Sequence, residues 1–195
     1  MRSSRPDVSI LMPAYNHEAY VEQAARSALD SADAAGVRAE LRTLDDGSSD
    51  ATLMRLRAME DPRLVVESQP NAGAHAAFNR LLEEARGEFL FLLNSDDLFE
   101  PARVGRCLDS LDAGGALAVG SFVRVIDPEG AEIGVKEAWR SLPPWPRPTR
   151  GPALSDLGDP ALALLEKNYL ATTSNLAFRR QALEGAGGGP RFMPL

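Results

Sequence analysis

Phe89-Leu90-Phe91-Leu92-Leu93-Asn94-Ser95-Asp96-Asp97 decides how the chain is read. Five apolar residues without a polar break predict a strand buried on both faces, the pattern of an interior strand in a parallel sheet. An amide, a hydroxyl and two carboxylates follow at its end. Ligands of open α/β sheets collect outside the carboxyl ends of the strands, so carboxylates there are placed to hold a cation and whatever the cation carries. The same spacing also suits Asp96 or Asp97 as the cap of a helix opening near Pro101.

Working back from this strand, the chain alternates strand and helix three times. Val8 to Met12 reads as a first strand ended by Pro13-Ala14-Tyr15-Asn16. Asn16 is placed to cap the helix in which Tyr20, Val21, Ala24, Ala25, Ala28 and Leu29 share a face. A dinucleotide turn would need glycines for close approach to a pyrophosphate, and this turn has none, which excludes that reading. Tyr15 is either a plain turn residue or an aromatic face on which a base can stack. Leu41 to Leu44 reads as a second strand ending in Asp45-Asp46-Gly47-Ser48-Ser49-Asp50, with Leu53, Leu56 and Met59 as the stripe of the next helix. Leu64 to Glu67 is a third strand. Asn71-Ala72-Gly73 then leads into the clearest helix, carrying Ala74, Ala77, Phe78, Leu81, Leu82 and Ala85 on one face, with Gly87 expected as its terminator. His75 and Asn79 share a flank of that helix, His75 reading as a solvated or capping residue.

Right-handed crossovers between such units build a parallel sheet with helices on both sides, and bring the ends of the first, second and fourth strands to one rim. Tyr15, Asp46 and Asp96 are therefore expected to converge. The 195 residues are 44% apolar, enough for one domain with a sizeable core. With 21 basic against 28 acidic residues, a net charge of −7 and no basic block, a nucleic-acid partner is excluded, and an anionic ligand would need a metal. No stretch is long enough for a transmembrane segment, and no signal peptide is evident. The single cysteine, Cys107, reads as a core residue of a protein in a reducing cytoplasm.

Downstream, a helix with Val104, Leu108 and Leu111 is expected to end at Gly114-Gly115. Ala116 to Ile126 and Ala131 to Ala138 read as a hairpin around Asp127-Pro128-Glu129-Gly130, which makes the sheet mixed. Arg140 to Pro152 holds five prolines and Trp145 and reads as a long binding or mobile loop. A helix from Asp159-Pro160, with Leu162 and Leu165, and a last strand from Thr172 to Phe178 follow.

Several of these motifs coincide in order and spacing: Val8 to Asn16, Asp45 to Asp50, Asn71-x-Gly73 through Ala77-x-Asn79, Gly87-Glu88, and Asn94 to Asp97. Together they resemble the inverting, nucleotide-sugar-dependent glycosyltransferases of family two, from Val8 to at least Arg179. The resemblance implies a single GT-A domain over residues 1–195, a Rossmann-like, mostly parallel mixed sheet flanked by helices. Residues 8–113 would form a nucleotide-binding part and 114–195 an incomplete acceptor-side part. It implies a nucleotide-binding site of Pro13, Tyr15, Asn16, Asp45, Asp46, Asn79, Asn94, Ser95 and Asp96. In it Pro13 and Tyr15 line the base and ribose pocket, Asp46 meets the uracil ring, Asn94 and Ser95 face ribose and pyrophosphate, and Asp96 holds a divalent metal, Mg²⁺ or Mn²⁺. Asn94 stands where many members have Asp, and Phe78 where many have Arg.

The implied reaction moves a sugar from a UDP- or dTDP-linked donor to a saccharide or lipid-linked acceptor hydroxyl with inversion, as in cell-surface polysaccharide biosynthesis. The implied location is cytoplasmic, at most peripheral to the inner face of the membrane. In the family the base belongs to an acidic pair at a helix start after the strand matching Thr172 to Phe178. This chain ends at Pro194-Leu195 about there, and Asp156, Asp159, Glu166 and Glu184 do not match the motif. Sequence alone thus leaves two expectations: a glycosyltransferase whose base lies after Leu195, or a non-catalytic nucleotide-sugar-binding or scaffold protein. A nucleotidyltransferase would need a glycine-rich basic loop at the first strand, which is missing.

Overall fold

The structure is a computed structural model that describes residues 5–136 and 172–184. These fall into two compact units, one of residues 5–119 with 177–184 and one of 120–136 with 172–176. The first unit is built from β1 (Val8–Ala14), α1 (Val21–Ala35), β2 (Ala39–Asp45), α2 (Thr52–Arg57), β3 (Leu64–Ser68), α3 (Ala74–Glu84), β4 (Phe89–Leu92) and α4 (Arg103–Gly114). The short strands β5 (Ala118–Gly120) and β8 (Leu176–Arg179) and the helix α5 (Gln181–Glu184) complete it, and the sheet order is β3-β2-β1-β4-β8-β5. The pairs β1·β2, β1·β4 and β2·β3 are parallel, while β8 runs antiparallel to β4 with Phe91 opposite Ala177. The first, second and fourth strands are therefore neighbours ending on one rim, as their alternation with helices requires.

Leu90, Phe91, Leu92 and Leu93 are all fully buried, which is why the run could carry no polar residue. One face of the sheet, with Val8, Ile10 and Met12 from β1 and Phe91 from β4, packs with Ala24, Ala28 and Ala32 of α1 and Val104 and Cys107 of α4. The small side chains of α1 let that helix lie close to both the sheet and α4. The α3 helix packs on β1 and β2 and buries Ala77, Phe78, Leu81 and Leu82. Phe78 is a core side chain at 3% exposure, on the buried face of α3. Pro13 is accommodated in a central strand because β1 pairs with β4 only as far as Leu11, beyond which no neighbour there requires its missing N–H.

A polar network fixes how β4 enters the sheet. Ser9 Oγ donates to Glu40 Oε1 at 2.6 Å and accepts from the Gly87 N–H at 2.7 Å, while Arg86 donates to Glu40 from its backbone at 2.7 Å and its guanidinium at 2.8 Å. Burial works to raise the Glu40 carboxyl, but the Ser9 and Arg86 hydrogen bonds outweigh it and hold the group below its ordinary value. Glu40→Gln is expected to lower stability by about 2 kcal/mol at neutral pH, in line with the loss of hydrogen bonds to a charged group. A depressed carboxylate stabilises the fold above its unfolded pKa, so this difference should persist at neutral pH. It should close as pH falls through the lowered folded value. Denaturant titrations at several pH values check it.

Gly87 is not the helix terminator expected from its position. The α3 helix ends at Glu84 with an extended Ala85, and Gly87 instead lets the chain pass over β1: a Cβ there would lie 2.4 Å from the Ser9 nitrogen and 2.6 Å from the Val8 carbonyl carbon. Backbone cannot give way as a side-chain end does. Gly87→Ala is expected to destabilise by about 2 kcal/mol or more, measured by thermal unfolding.

Asn16 does not cap α1, which begins at Val21 after Tyr20, and neither Asp96 nor Asp97 caps α4, whose N-cap is Ala102. The expected long hairpin arm from Ala116 divides into β5 and β6 (Val123–Ile126), and only β6 pairs with β7 (Glu132–Lys136) in a hairpin of the second unit. The expected last strand opens with a 3₁₀ turn at Thr173–Asn175, and Gly115 ends α4 with a left-handed φ of 62° as expected. The Arg140 to Pro152 loop with Trp145, the Asp159 helix, and Asp156 and Glu166 lie outside the described residues.

Candidate nucleotide and metal site

The rim at the carboxyl ends of β2, β1 and β4 is assembled by loops that brace one another. The Asn16 N–H donates to Ser48 Oγ at 2.9 Å, the Ser49 N–H to Asn16 Oδ1 at 2.8 Å, and the His17 N–H to Thr52 Oγ1 at 2.8 Å. Glu18 and Asp50 complete the brace: the Glu18 N–H donates to Asp50 Oδ2 at 3.0 Å and the Ala51 N–H to Glu18 Oε2 at 2.8 Å. Burial works to raise the Asp50 carboxyl, but hydrogen bonds from Thr52 and Glu18 hold it below the usual range, so it stays an acceptor across the physiological range. Among the described residues only Asn16 is a non-glycine at positive φ, 53°. Asparagine tolerates this conformation better than most residues, and its side chain explains the retained strain by locking the turn to Ser49.

The carboxylate pair at the end of β2 faces inward. Asp45 is 1% exposed and Asp46 3%. Asp45 accepts from the Ser48 N–H at 3.3 Å and from Ser68 Oγ at 3.1 Å. Asp46 Oδ1 accepts from Gln69 Nε2 at 2.7 Å and the Ala72 N–H at 2.9 Å, and its Oδ2 from the Gly73 N–H at 2.8 Å. Asp46 thus holds the loop that enters α3. Of about four acceptor directions on a carboxylate, three are used by the protein and one on Oδ2 is left. Gly47 is needed beside it, because at φ 75° an added Cβ would lie 2.8 Å from the Asn71 nitrogen.

Other expected site residues separate into exposed and buried. Tyr15 is 47% exposed where β1 ends. Pro13 is buried within β1, and Asn79 lies half-buried on α3. Asn94 is half-buried and donates from Nδ2 to Asp97 Oδ2 at 3.1 Å. Ser95 departs from expectation. It is 2% exposed and its hydroxyl lies 2.7 Å from His17 Nδ1, so it faces the neighbouring loop and not the open rim. Asp96 points outward with its side chain 49% exposed, and its Oδ2 lies 4.0 Å from His17 Nε2.

His17 is the residue that sequence reading missed. It sits in the loop after β1, and the partner of its ring nitrogen, Ser95, is 78 residues away in the chain, beyond the reach of any local pattern. The available signal was its place directly after Tyr15-Asn16, on the rim where polar side chains gather. The donor set suits a hard divalent ion shared with a substrate. Among the described residues no three His, Cys, Asp or Glu side chains converge as a closed metal cage. Mg²⁺ and ions like it are commonly held by one or two protein ligands together with phosphate oxygens, and an outward carboxylate such as Asp96 meets that need.

Residues 9–184 match the family model described as Glycosyl transferase family 2. The chain is 33% identical over 129 residues to the succinoglycan biosynthesis protein ExoO of Rhizobium meliloti (strain 1021), covering 66% of this chain and 36% of that protein. Among solved structures it resembles S. aureus TarS in complex with UDP-GlcNAc, with a TM-score of 0.64 and 20% identity over 92% of this chain and 47% of that one. It also resembles a mannosyltransferase of Pyrobaculum calidifontis in complex with GDP-Man and Mn²⁺, with a TM-score of 0.59 and 20% identity over 96% of this chain and 48% of that one. The structural likeness gives the GT-A fold, as expected. The chain spans less than half the length of each of these three proteins. Among the described residues no helix is long and apolar enough to cross a membrane.

Proposed function

This chain belongs to glycosyl transferase family 2, and on that footing we propose that it carries the donor site of an enzyme moving a sugar from a UDP-linked, or dTDP-linked, donor to an acceptor hydroxyl with inversion. The observation that carries the reading is the outward Asp96 at the end of β4, on the same rim as the exposed Tyr15 and the Asp45-Asp46 turn. Tyr15 supplies a face for the base, a contact of about 1–3 kcal/mol in stacked nucleotide sites. Asp46 offers its remaining acceptor direction to the ring N–H of uracil or thymine. Asn94 lies beside the ribose and Asp96 holds a divalent ion, Mg²⁺ or Mn²⁺. When bound, the ion supplies a Lewis acid for the charge that develops on the diphosphate leaving group. The braced loops keep these groups in place before the donor arrives, so little ordering remains to oppose binding. The acceptor is a saccharide or a lipid-linked saccharide, and the role belongs to cell-surface polysaccharide assembly.

A thermal-shift panel of UDP-, dTDP-, GDP- and ADP-sugars with Mn²⁺ tests the donor class. UDP- or dTDP-sugars should raise the melting temperature by roughly 5–11 °C at about a hundredfold excess over Kd. Equal shifts with the purine donors, or none with any donor, would contradict the reading.

A further inference from the structure

We infer that His17 is a second protein ligand of the metal, its Nε2 and Asp96 Oδ2 together seating one divalent ion. This deepens the donor-site reading and rests on Asp96 holding the ion. The two atoms lie 4.0 Å apart, with both side chains partly exposed, 34% for His17 and 49% for Asp96. An octahedral ion with bonds of about 2.1 Å places adjacent ligand atoms about 3 Å apart and opposed ones about 4.2 Å apart. The observed separation lies within that span, and a swing of roughly 1 Å by the Asp96 carboxylate gives the adjacent geometry.

His17 is held as metal-binding imidazoles are. A ligating histidine characteristically engages a partner with its other ring nitrogen, which sets both tautomer and ring orientation. Here Nδ1 lies 2.7 Å from the hydroxyl of Ser95, a side chain 2% exposed. With the proton on Nδ1 donated to Ser95, Nε2 carries a bare lone pair on the side of Asp96. The ring is further fixed by Tyr20, edge-on at 6.3 Å and 83°, and the backbone by the His17 N–H to Thr52 Oγ1 bond. This gives the inward turn of Ser95 a purpose: it orients a metal ligand from the adjacent loop. An imidazole also changes selectivity, since nitrogen ligands favour transition ions, whereas Mg²⁺ prefers oxygen and surrenders its water reluctantly. The site should therefore take Mn²⁺ in preference to Mg²⁺.

Pulsed EPR of Mn²⁺ bound to the chain with UDP tests this directly, because a coordinated imidazole imposes ¹⁴N modulation on the manganese signal. The chain has two histidines, so the His17→Asn variant identifies the source. Asparagine keeps a polar atom near Ser95 but has nothing at the position of Nε2, so this variant should fold as the parent does. The expected result is ¹⁴N modulation in the parent that disappears in His17→Asn, with Mn²⁺-supported UDP affinity falling roughly tenfold and Mg²⁺-supported affinity changing little. Mn²⁺ and UDP binding without ¹⁴N modulation, or modulation that persists in the variant, would overturn the assignment of His17 and leave the donor site standing. Failure of the parent to bind Mn²⁺ and UDP together would overturn both.

Discussion

Asp96→Asn is expected to remove the contribution of Mn²⁺ or Mg²⁺ to UDP binding while leaving the fold unchanged. Its side chain is half-exposed, and its carboxylate approaches His17 Nε2 at 4.0 Å, so the substitution leaves no buried group without a partner. An amide can offer a neutral oxygen but not the anionic charge that offsets a divalent ion in a protein of net charge −7. Metal-supported affinity should fall on the order of 100-fold, at or beyond the upper end of what loss of a supporting metal contact costs. Affinity measured with a chelator should not change. Titration calorimetry of parent and variant separates the two terms, and an unchanged melting temperature shows that the loss is local.

Asp46→Ala should have the opposite profile, acting on the fold as strongly as on the ligand. Its carboxylate accepts from Gln69 Nε2 and from the Ala72 and Gly73 N–H groups, and it is 3% exposed. Truncation leaves those donors facing an apolar methyl, and unsatisfied buried donors cost about 1–3 kcal/mol each. A loss of about 3 kcal/mol, or roughly 6–12 °C in melting temperature for a chain of this size, is expected. The loop entering α3 should loosen, with faster amide exchange at Ala72 and Gly73. Base recognition should weaken without vanishing, since Tyr15 remains. Asp46→Asn is the stringent companion: its amide nitrogen would face another donor, so an isosteric change should still destabilise. A full melting temperature in Asp46→Asn would refute the structural role given to the carboxylate.

What could be read from sequence here follows the range of the forces concerned. The unbroken apolar run from Phe89 to Leu93 states its own burial, and the stripe from Ala77 to Leu82 states which face of α3 packs. Burial and periodicity are properties of neighbours in the chain. Right-handed crossovers put the carboxyl ends of β1, β2 and β4 on one side of the sheet, so their shared rim was also legible. Other features depended on partners far away. Nothing near Gly87 reveals that it crosses the backbone of Ser9, and nothing near Ser95 shows that its hydroxyl meets His17. The same holds for Asn16, whose residue type suggested a cap, as asparagine before a helix often does. Its side chain is instead claimed by Ser49, 33 residues on. The carboxylate pair was recognised as important, but that both members lie almost wholly buried depended on the 69–73 loop folding over them.

The central claim is that this rim holds a pyrimidine nucleoside diphosphate through a metal, and calorimetric titration of UDP into the parent chain tests it most directly. In Mn²⁺ the titration should give a saturable one-to-one isotherm whose affinity exceeds that in chelator by at least tenfold, with GDP far weaker under the same conditions. Binding of equal strength with and without the ion, or of UDP and GDP alike, would contradict it.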